Sequence, residues 1–511
     1  MVAGGGRNTA GAPTVPALRR QPARIPIRSV SNRGSSRGPT RRPNAASEAP
    51  HYVEGNASDT YRSPVERLGS ANPRVRQQAR AALLAQGAAA VPTLQQAFAA
   101  QDASVRLSAV ELIGAIEPEL NRTLVPMFGD PDLRVREAAV GILAQLGPAS
   151  ARQLLDWLGD DDEPVRVGAA FGLSRLKLAD DFGLETLVAA VADPHPAVRG
   201  GAIIALGRLP TQRQDVVVQS LLLGIKDPHP DVAELACNAV IDVGAPAAEP
   251  LLAALEHSRS NERALICAAV GEVFATDTCR EHAMQAVHAL VSQLADPAVA
   301  VRREATTALG KLGCCVDSPA TAKLVDALAD PDPQVRAAAC GALGELARMQ
   351  RFDQPQRFVD LLQQDVHALP RGAAASALAC FRDRPDAGEF VAPLISSLAD
   401  PDCEVRERAA ATLADLGSAS TDKLVAAMAH EQIKIGEGAL AALSHQGEAA
   451  VAPLVEALAD SRQRVRILAA AALRDIGPSA AAAIPALERL QSDRDRDIQY
   501  YAWSALKSIR Q

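Results

Sequence analysis

A short pattern that returns about every thirty residues constrains this chain more than any other feature of its sequence. An apolar run leads into Leu-Ala-Asp-Pro or a variant of it. Val-Arg follows, and a second, Ala-rich run ends near Leu-Gly. The clearest copies read LADPAVAVRREATTALGKLG at 294–313, LADPDPQVRAAACGALGELA at 328–347 and LADPDCEVRERAAATLADLG at 398–417. Val-Arg stands at Val75-Arg76, Val105-Arg106, Val135-Arg136, Val165-Arg166, Val198-Arg199, Val301-Arg302, Val335-Arg336, Val405-Arg406 and Val465-Arg466. Weaker copies fill the gaps at Val232-Ala233, Glu262-Arg263, Pro370-Arg371, Ile435-Gly436 and Ile498-Gln499, so that successive copies lie 30 to 39 residues apart. A chain with such a period stacks like units, each touching its neighbours.

Thirty residues hold two helices of about 11–12 residues and two short turns. The Asp-Pro step reads as a start signal for the second helix, with Asp capping free N–H groups and Pro in the first turn. After Val-Arg the apolar positions fall at helical spacing, as in Val135, Ala139, Ile142, Leu143 and Leu146, which gives one stripe to bury. A single helix pair cannot cover that stripe, but a stack can. Aromatic residues make up only 3% of the chain against 48% hydrophobic, so Ala, Val and Leu must form the core. Thin, closely packed helices suit such side chains.

The Asp-Pro…Val-Arg signature resembles that of the HEAT family, in particular the short repeats named after phycobilisome lyases. The resemblance covers residues 63–511. It implies an all-α fold, an α-solenoid wound as a right-handed superhelix, with the first helix of each pair on the convex side and the second lining the concave side. On this reading residues 1–60 form a disordered Arg/Pro/Gly/Ser-rich tail and 61–511 the solenoid, of about 14 repeats.

Asp precedes Arg by six residues in seven copies: Asp130/Arg136, Asp160/Arg166, Asp193/Arg199, Asp296/Arg302, Asp330/Arg336, Asp400/Arg406 and Asp460/Arg466. A motif present in unit after unit is architecture. Each Arg is expected to bridge the turns of neighbouring repeats, its planar fork matching carboxylate and backbone carbonyls.

Charge divides the chain. Residues 1–50 carry nine Arg against the single acid Glu48, a balance of +8, which leaves −15 on the rest. The tail reads as a solvated segment, an organelle transit peptide, residues ahead of a downstream start, or an arm for an acidic or nucleic-acid partner. An acidic body disfavours duplex binding outside residues 1–50, because phosphate neutralisation dominates such affinity. The eight Cys include no CxxC pair, and no run of 18 apolar residues is present. A cytoplasmic protein with reduced thiols and no membrane span is therefore expected.

No chemistry stands out. In the iron-dependent deoxyhypusine hydroxylase branch of the family, His-Glu pairs follow Val-Arg. Here those positions read Glu137-Ala138, Arg303-Glu304, Ala337-Ala338 and Glu407-Arg408, so catalytic, metal and cofactor residues are expected to be absent and a small-molecule ligand is disfavoured. Cys279, His282 and His288 have ligand types at helical spacing but no clear fourth member. Cys237, Cys267 and Cys340 stand in a column otherwise filled by Val and Ile, and read as small core residues.

If the second helix lines the groove, the residues just after the Arg position face into it. The middle units then present Val167, Phe171, Ile204, Leu235 and Asn238 beside several glycines, and the C-terminal units present Glu407, Arg408 and Glu437. An apolar centre with charged margins suits a partner helix or extended segment. The function expected is a protein–protein scaffold or adaptor. The alternatives are a bilin-lyase-like or other HEAT-repeat enzyme or chaperone subunit, and a protein associated with nucleic acid through its basic tail.

Overall fold

The computed structural model describes residues 63–511 except 117–121, 145–147, 177, 179–182 and 277–281. The expectations for the tail, and for Cys279, lie outside the described residues.

Fourteen helices begin at or just before the Val-Arg positions: α1 Pro73–Gln86, α2 Ala103–Ile116, α3 Leu133–Ala144, α4 Glu163–Leu173, α5 Pro196–Gly207, α6 Pro230–Val243, α7 Ser260–Phe274, α8 Val299–Leu312, α9 Pro333–Arg348, α10 Ala368–Leu378, α11 Cys403–Asp415, α12 Ile433–Gln446, α13 Gln463–Ile476 and α14 Arg496–Ile509. Each packs against the next, from α1 on α2 to α13 on α14, and against the helix or turn that precedes it in its own repeat. The described residues contain no strand. This is the expected α-solenoid, built by burial between neighbours.

Several of the preceding helices are shorter than a mean helix, for example Val91–Gln96, Leu184–Ala190, Val391–Ser397 and Val451–Ala457. The segment Arg122–Gly129 is 3-10 throughout, with Pro126 inside it. In three of those four helices a proline near the start, Pro92, Pro393 or Pro453, removes a donor and limits how far back the helix reaches, while Leu184–Ala190 has none. Glycines at positive φ end several second helices; Gly447 (φ 63°) closes α12 and Gly477 (φ 72°) closes α13. Side chains with a Cβ rarely adopt that conformation.

The core is the stripe read from sequence. Val135, Ala139, Val198, Ala202, Leu309, Leu343, Ala409 and Leu473 are fully buried. Cys237, Cys267 and Cys340 are also fully buried, and burial pushes their thiols up to about 12. Gln463–Leu490 is long and apolar enough by composition to cross a membrane. It comprises α13, a 3-10 stretch broken at Ala480 and the helix Ile484–Leu490. Its apolar residues Ala469–Leu473 are buried.

The start signal works differently from the expectation. The Asp of Asp-Pro does not cap the helix; its Oδ1 accepts the N–H two residues on, as in Asp330 from Asp332 at 2.8 Å and Asp400 from Asp402 at 2.9 Å. The cap is that later residue. Asp332 accepts from Gln334 N at 2.8 Å, Asp402 from Glu404 N at 2.9 Å, and His195 Nδ1 from Ala197 N at 3.2 Å. The helical prolines are likewise a second set, Pro196, Pro230 and Pro333. The Asp-Pro carboxylate is thereby left with a free face for another partner.

Candidate interaction groove

That partner is an arginine from the preceding repeat. Arg106 grips Asp130 through Nε and Nη2 at 2.6 and 2.9 Å, Arg199 grips Asp227 at 2.6 and 2.7 Å, Arg302 grips Asp330 at 2.8 and 2.9 Å, and Arg336 grips Asp365 at 2.6 and 2.9 Å. Arg371 holds Asp400 at 2.8 Å twice, and Arg166 holds Asp193 at 2.8 Å. Arg263 reaches Asp296 at 2.7 Å, and Arg466 stands 3.6 Å from Asp493. The third donor, Nη1, turns back to the repeat's own turn. It meets the Asp130 carbonyl from Arg136 at 2.6 Å, Asp160 from Arg166 at 3.0 Å, Asp193 from Arg199 at 2.9 Å and Asp296 from Arg302 at 2.9 Å. Asp330 receives Arg336 at 2.8 Å, Asp400 receives Arg406 at 2.8 Å and Asp460 receives Arg466 at 2.9 Å. The Asp and Arg six residues apart thus meet through a backbone carbonyl, while the carboxylates of Asp130, Asp193, Asp296, Asp330 and Asp400 are held across the repeat boundary.

The forks are mostly buried and set the ionisation of their carboxylates. Burial pushes Asp130, Asp227, Asp330, Asp365 and Asp400 up, but the guanidinium and the turn N–H outweigh it and hold each below the usual carboxylate range. Two half-buried acids whose carboxylates take no part in the cross-repeat forks, Asp132 and Asp460, are held down to about 2 by the fork of the arginine two residues on, Arg134 and Arg462. Along the stretch from α3 to α6, Arg166 of α4 and Arg199 of α5 each hold the turn ahead of the next second helix.

Between those helices lies an open groove of about 480 Å³. Phe128, Val167, Phe171, Ile204 and Leu235 give it an apolar lining, and Arg136, His195, His229 and Asp231 stand among its other residues. Val167, Phe171, Ile204 and Leu235 are half-buried, while Leu133 at the margin is 51% exposed. The Arg175 guanidinium sits 4.6 Å from the Phe171 ring centre and is tied to Glu137 at 2.9 Å. His195 Nε2 lies 3.5 Å from Glu163, and His229 Nδ1 lies 4.0 Å from Asp231.

Two glycines shape the floor. A Cβ on Gly168 would sit 2.0 Å from the Phe128 ring, and one on Gly201 would sit 2.7 Å from the backbone of Ala170. Small residues therefore bring α4 and α5 together, and the ring of Phe128 fills the space over Gly168. Gly201→Ala is expected to destabilise the stack by about 1–3 kcal/mol, because backbone cannot yield as a flexible side chain can. Denaturant unfolding measures it, and a change below the experimental error would contradict the close approach.

Of the residues singled out from sequence, Val167, Phe171, Ile204 and Leu235 line one groove. Asn238 lies one turn further along α6, half-buried and outside the lining. Glu407 and Arg408 on α11 and Glu437 on α12 are several repeats away and do not join it; Arg408 pairs with Glu404 on its own helix. Sequence reading missed Phe128 and Leu133, which come from the preceding turn and the start of α3. His282 and His288 do not converge. They face Glu249 at 3.9 Å and Asp317 at 4.0 Å, on different elements. Among the described residues no group of three or more His, Cys, Asp or Glu is placed to hold a metal ion.

Among solved structures the fold is similar to Kap121p, at 14% identity over 86% of this chain and 56% of that one, with a TM-score of 0.52. It is similar to Kap95p, at 14% identity over 87% and 71% with a TM-score of 0.53, and to importin beta, at 15% over 87% and 74% with 0.52. The chain spans little more than half the length of Kap121p. It matches none of the curated proteins in sequence. The family model of HEAT repeats matches residues 91–173, 151–239, 248–344, 287–379 and 391–474. Those matches take in most of the chain, which belongs to the HEAT-repeat family.

Proposed function

We propose that this protein is a scaffold that seats an apolar segment of a partner protein in the groove over α4, α5 and α6. One observation carries the reading: Leu133, Phe171 and Ile204 share a single open depression, and Leu133 is 51% exposed there. Apolar surface of this kind, rimmed by polar groups, marks an interaction site. Solenoids of similar fold have been solved with proteins bound, among them Kap121p with RanGTP and with Nup53p, which supports a binding role over a catalytic one. The Asp-Pro…Val-Arg turn supports placing the repeats with the short phycobilisome-lyase-type variety. The buried thiols of Cys237, Cys267 and Cys340 suit the reducing conditions of the cytoplasm.

Phe171→Asp together with Ile204→Asp tests the groove. Two apolar anchors lost from the centre of an interface weaken binding by roughly a hundredfold. Partner recovered on the wild-type chain is expected to be lost on the double variant while far-UV helicity is unchanged. Equal recovery on both chains would discard the groove.

A further inference from the structure

The ladder has one rung with nothing in it. In every other repeat a side chain donates to a carbonyl of the turn before the second helix. Arginine does so from Arg76 to Ser70 O at 2.6 Å, from Arg106 to Ala100 O at 2.7 Å, from Arg371 to Asp365 O at 3.0 Å, and in the copies already described. Arg263 uses the Ser258 carbonyl at 2.5 Å. In the last repeat Gln499 takes the place of arginine and donates to Asp493 O at 2.8 Å.

Repeat twelve lacks the arginine. Gly436 stands at its position, and a guanidinium arrives from elsewhere: Arg464 of the next repeat donates to His430 O at 2.9 Å and to Ile433 O at 3.0 Å. Its Nη2 lies 2.7 Å from where a Gly436 Cβ would be. The vacancy is filled by another arginine.

Ala233 on α6 makes the same vacancy, and no residue fills it. Neither Asp227 O nor Pro228 O receives a hydrogen bond among the described residues. In their place is a cavity of about 400 Å³ lined by both residues, Ala233, Glu234, Glu262, Asn261 and others. Among the described residues Glu234, half-buried, has no ion pair, and Glu262 accepts just the Arg259 N–H at 3.2 Å. Lys226 and Arg259 stand at the margin, both exposed. The cavity borders the same helix whose Leu235 lines the groove.

We propose that this vacant rung is a receptor for an arginine side chain from a binding partner, the guanidinium taking the carbonyls of Asp227 and Pro228 and the carboxylates of Glu234 and Glu262. A planar, five-donor cation matches that set, and a lysine ammonium does not. The site is tested with a small probe and no partner, so its failure and that of the apolar groove are read separately.

The probe is N-acetyl-arginine methylamide, titrated into the full chain and followed by ligand-observed NMR. The citrulline and lysine analogues serve as controls at matched ionic strength. Saturable binding is expected, about tenfold tighter than for the neutral citrulline analogue, since charge-assisted hydrogen bonds are the stronger ones. Ala233→Arg is expected to abolish it by supplying the missing side chain, and Glu234→Gln to weaken it several-fold. Equal affinity for arginine and citrulline analogues would overturn the proposal, as would undiminished binding to both variants. Binding seen only after Arg259→Ala would also overturn it, by showing that the chain fills its own rung.

Discussion

Replacing Asp330 by alanine is expected to lower the stability of the stack by about 3 kcal/mol, most of it from the charge left unpaired. Arg302 grips this carboxylate with two bonds of 2.8 and 2.9 Å, and the two side chains are only 12% and 9% exposed. The same carboxylate accepts the Asp332 N–H at 2.8 Å. Alanine thus strands a guanidinium at the boundary between α8 and α9 and frees a turn donor. Asp330→Asn keeps an oxygen for the turn but loses the charge, so its cost should be smaller. Arg302→Met combined with Asp330→Ala should cost less than the sum of the two single changes, because the second removes a partner already lost. Urea unfolding gives the energies, and amide exchange in α8 and α9 shows whether the weakening stays at that boundary, as stacked repeats require. A double variant that costs the full sum would mean that the rung is not a coupled pair.

The fold was open to reading because each repeat states the same local rules. The Val-Arg copies mark where the second helices begin, and the stripe that starts with Val135 and Ala139 names their buried face. The wiring of the ladder was harder. Asp330 and Arg336 lie six residues apart, and spacing alone suggests a pair. In space the Asp330 carboxylate is taken by Arg302, which lies 28 residues earlier. In a periodic chain a contact within one unit and a contact to the next carry the same signature, so sequence spacing cannot separate them. The groove was half visible for a similar reason. Phe171 and Ile204 follow from helical phase, but Phe128 enters from a 3-10 segment with no helical phase to read. The empty rung needed coordinates, because Gly436 and Ala233 look alike until Arg464 is seen to occupy only one of the two positions.

Acid should dismantle this protein through the ladder. The carboxyls of Asp130, Asp227, Asp330, Asp365 and Asp400 are all held below their ordinary range in the folded chain. In the unfolded chain they titrate near pH 4. Above that value both states are ionised and the full stabilisation of each fork is present. Below it the unfolded chain binds protons that the folded chain refuses, and stability falls with pH through the folded-state values. Because several rungs titrate in one window, the loss is expected to be steep below about pH 4 and nearly absent between pH 5 and 8. Salt should shift it little, since the forks are mostly buried and poorly screened. Asp330→Asn is the internal control: it removes one titrating rung, so stability measured against pH should fall less steeply than in the parent. Substituting the exposed Asp383, 95% accessible, supplies a comparison at a carboxylate outside the ladder. If the two substitutions affected the acid limb equally, the carboxylates that hold the repeats together would not be those of the ladder.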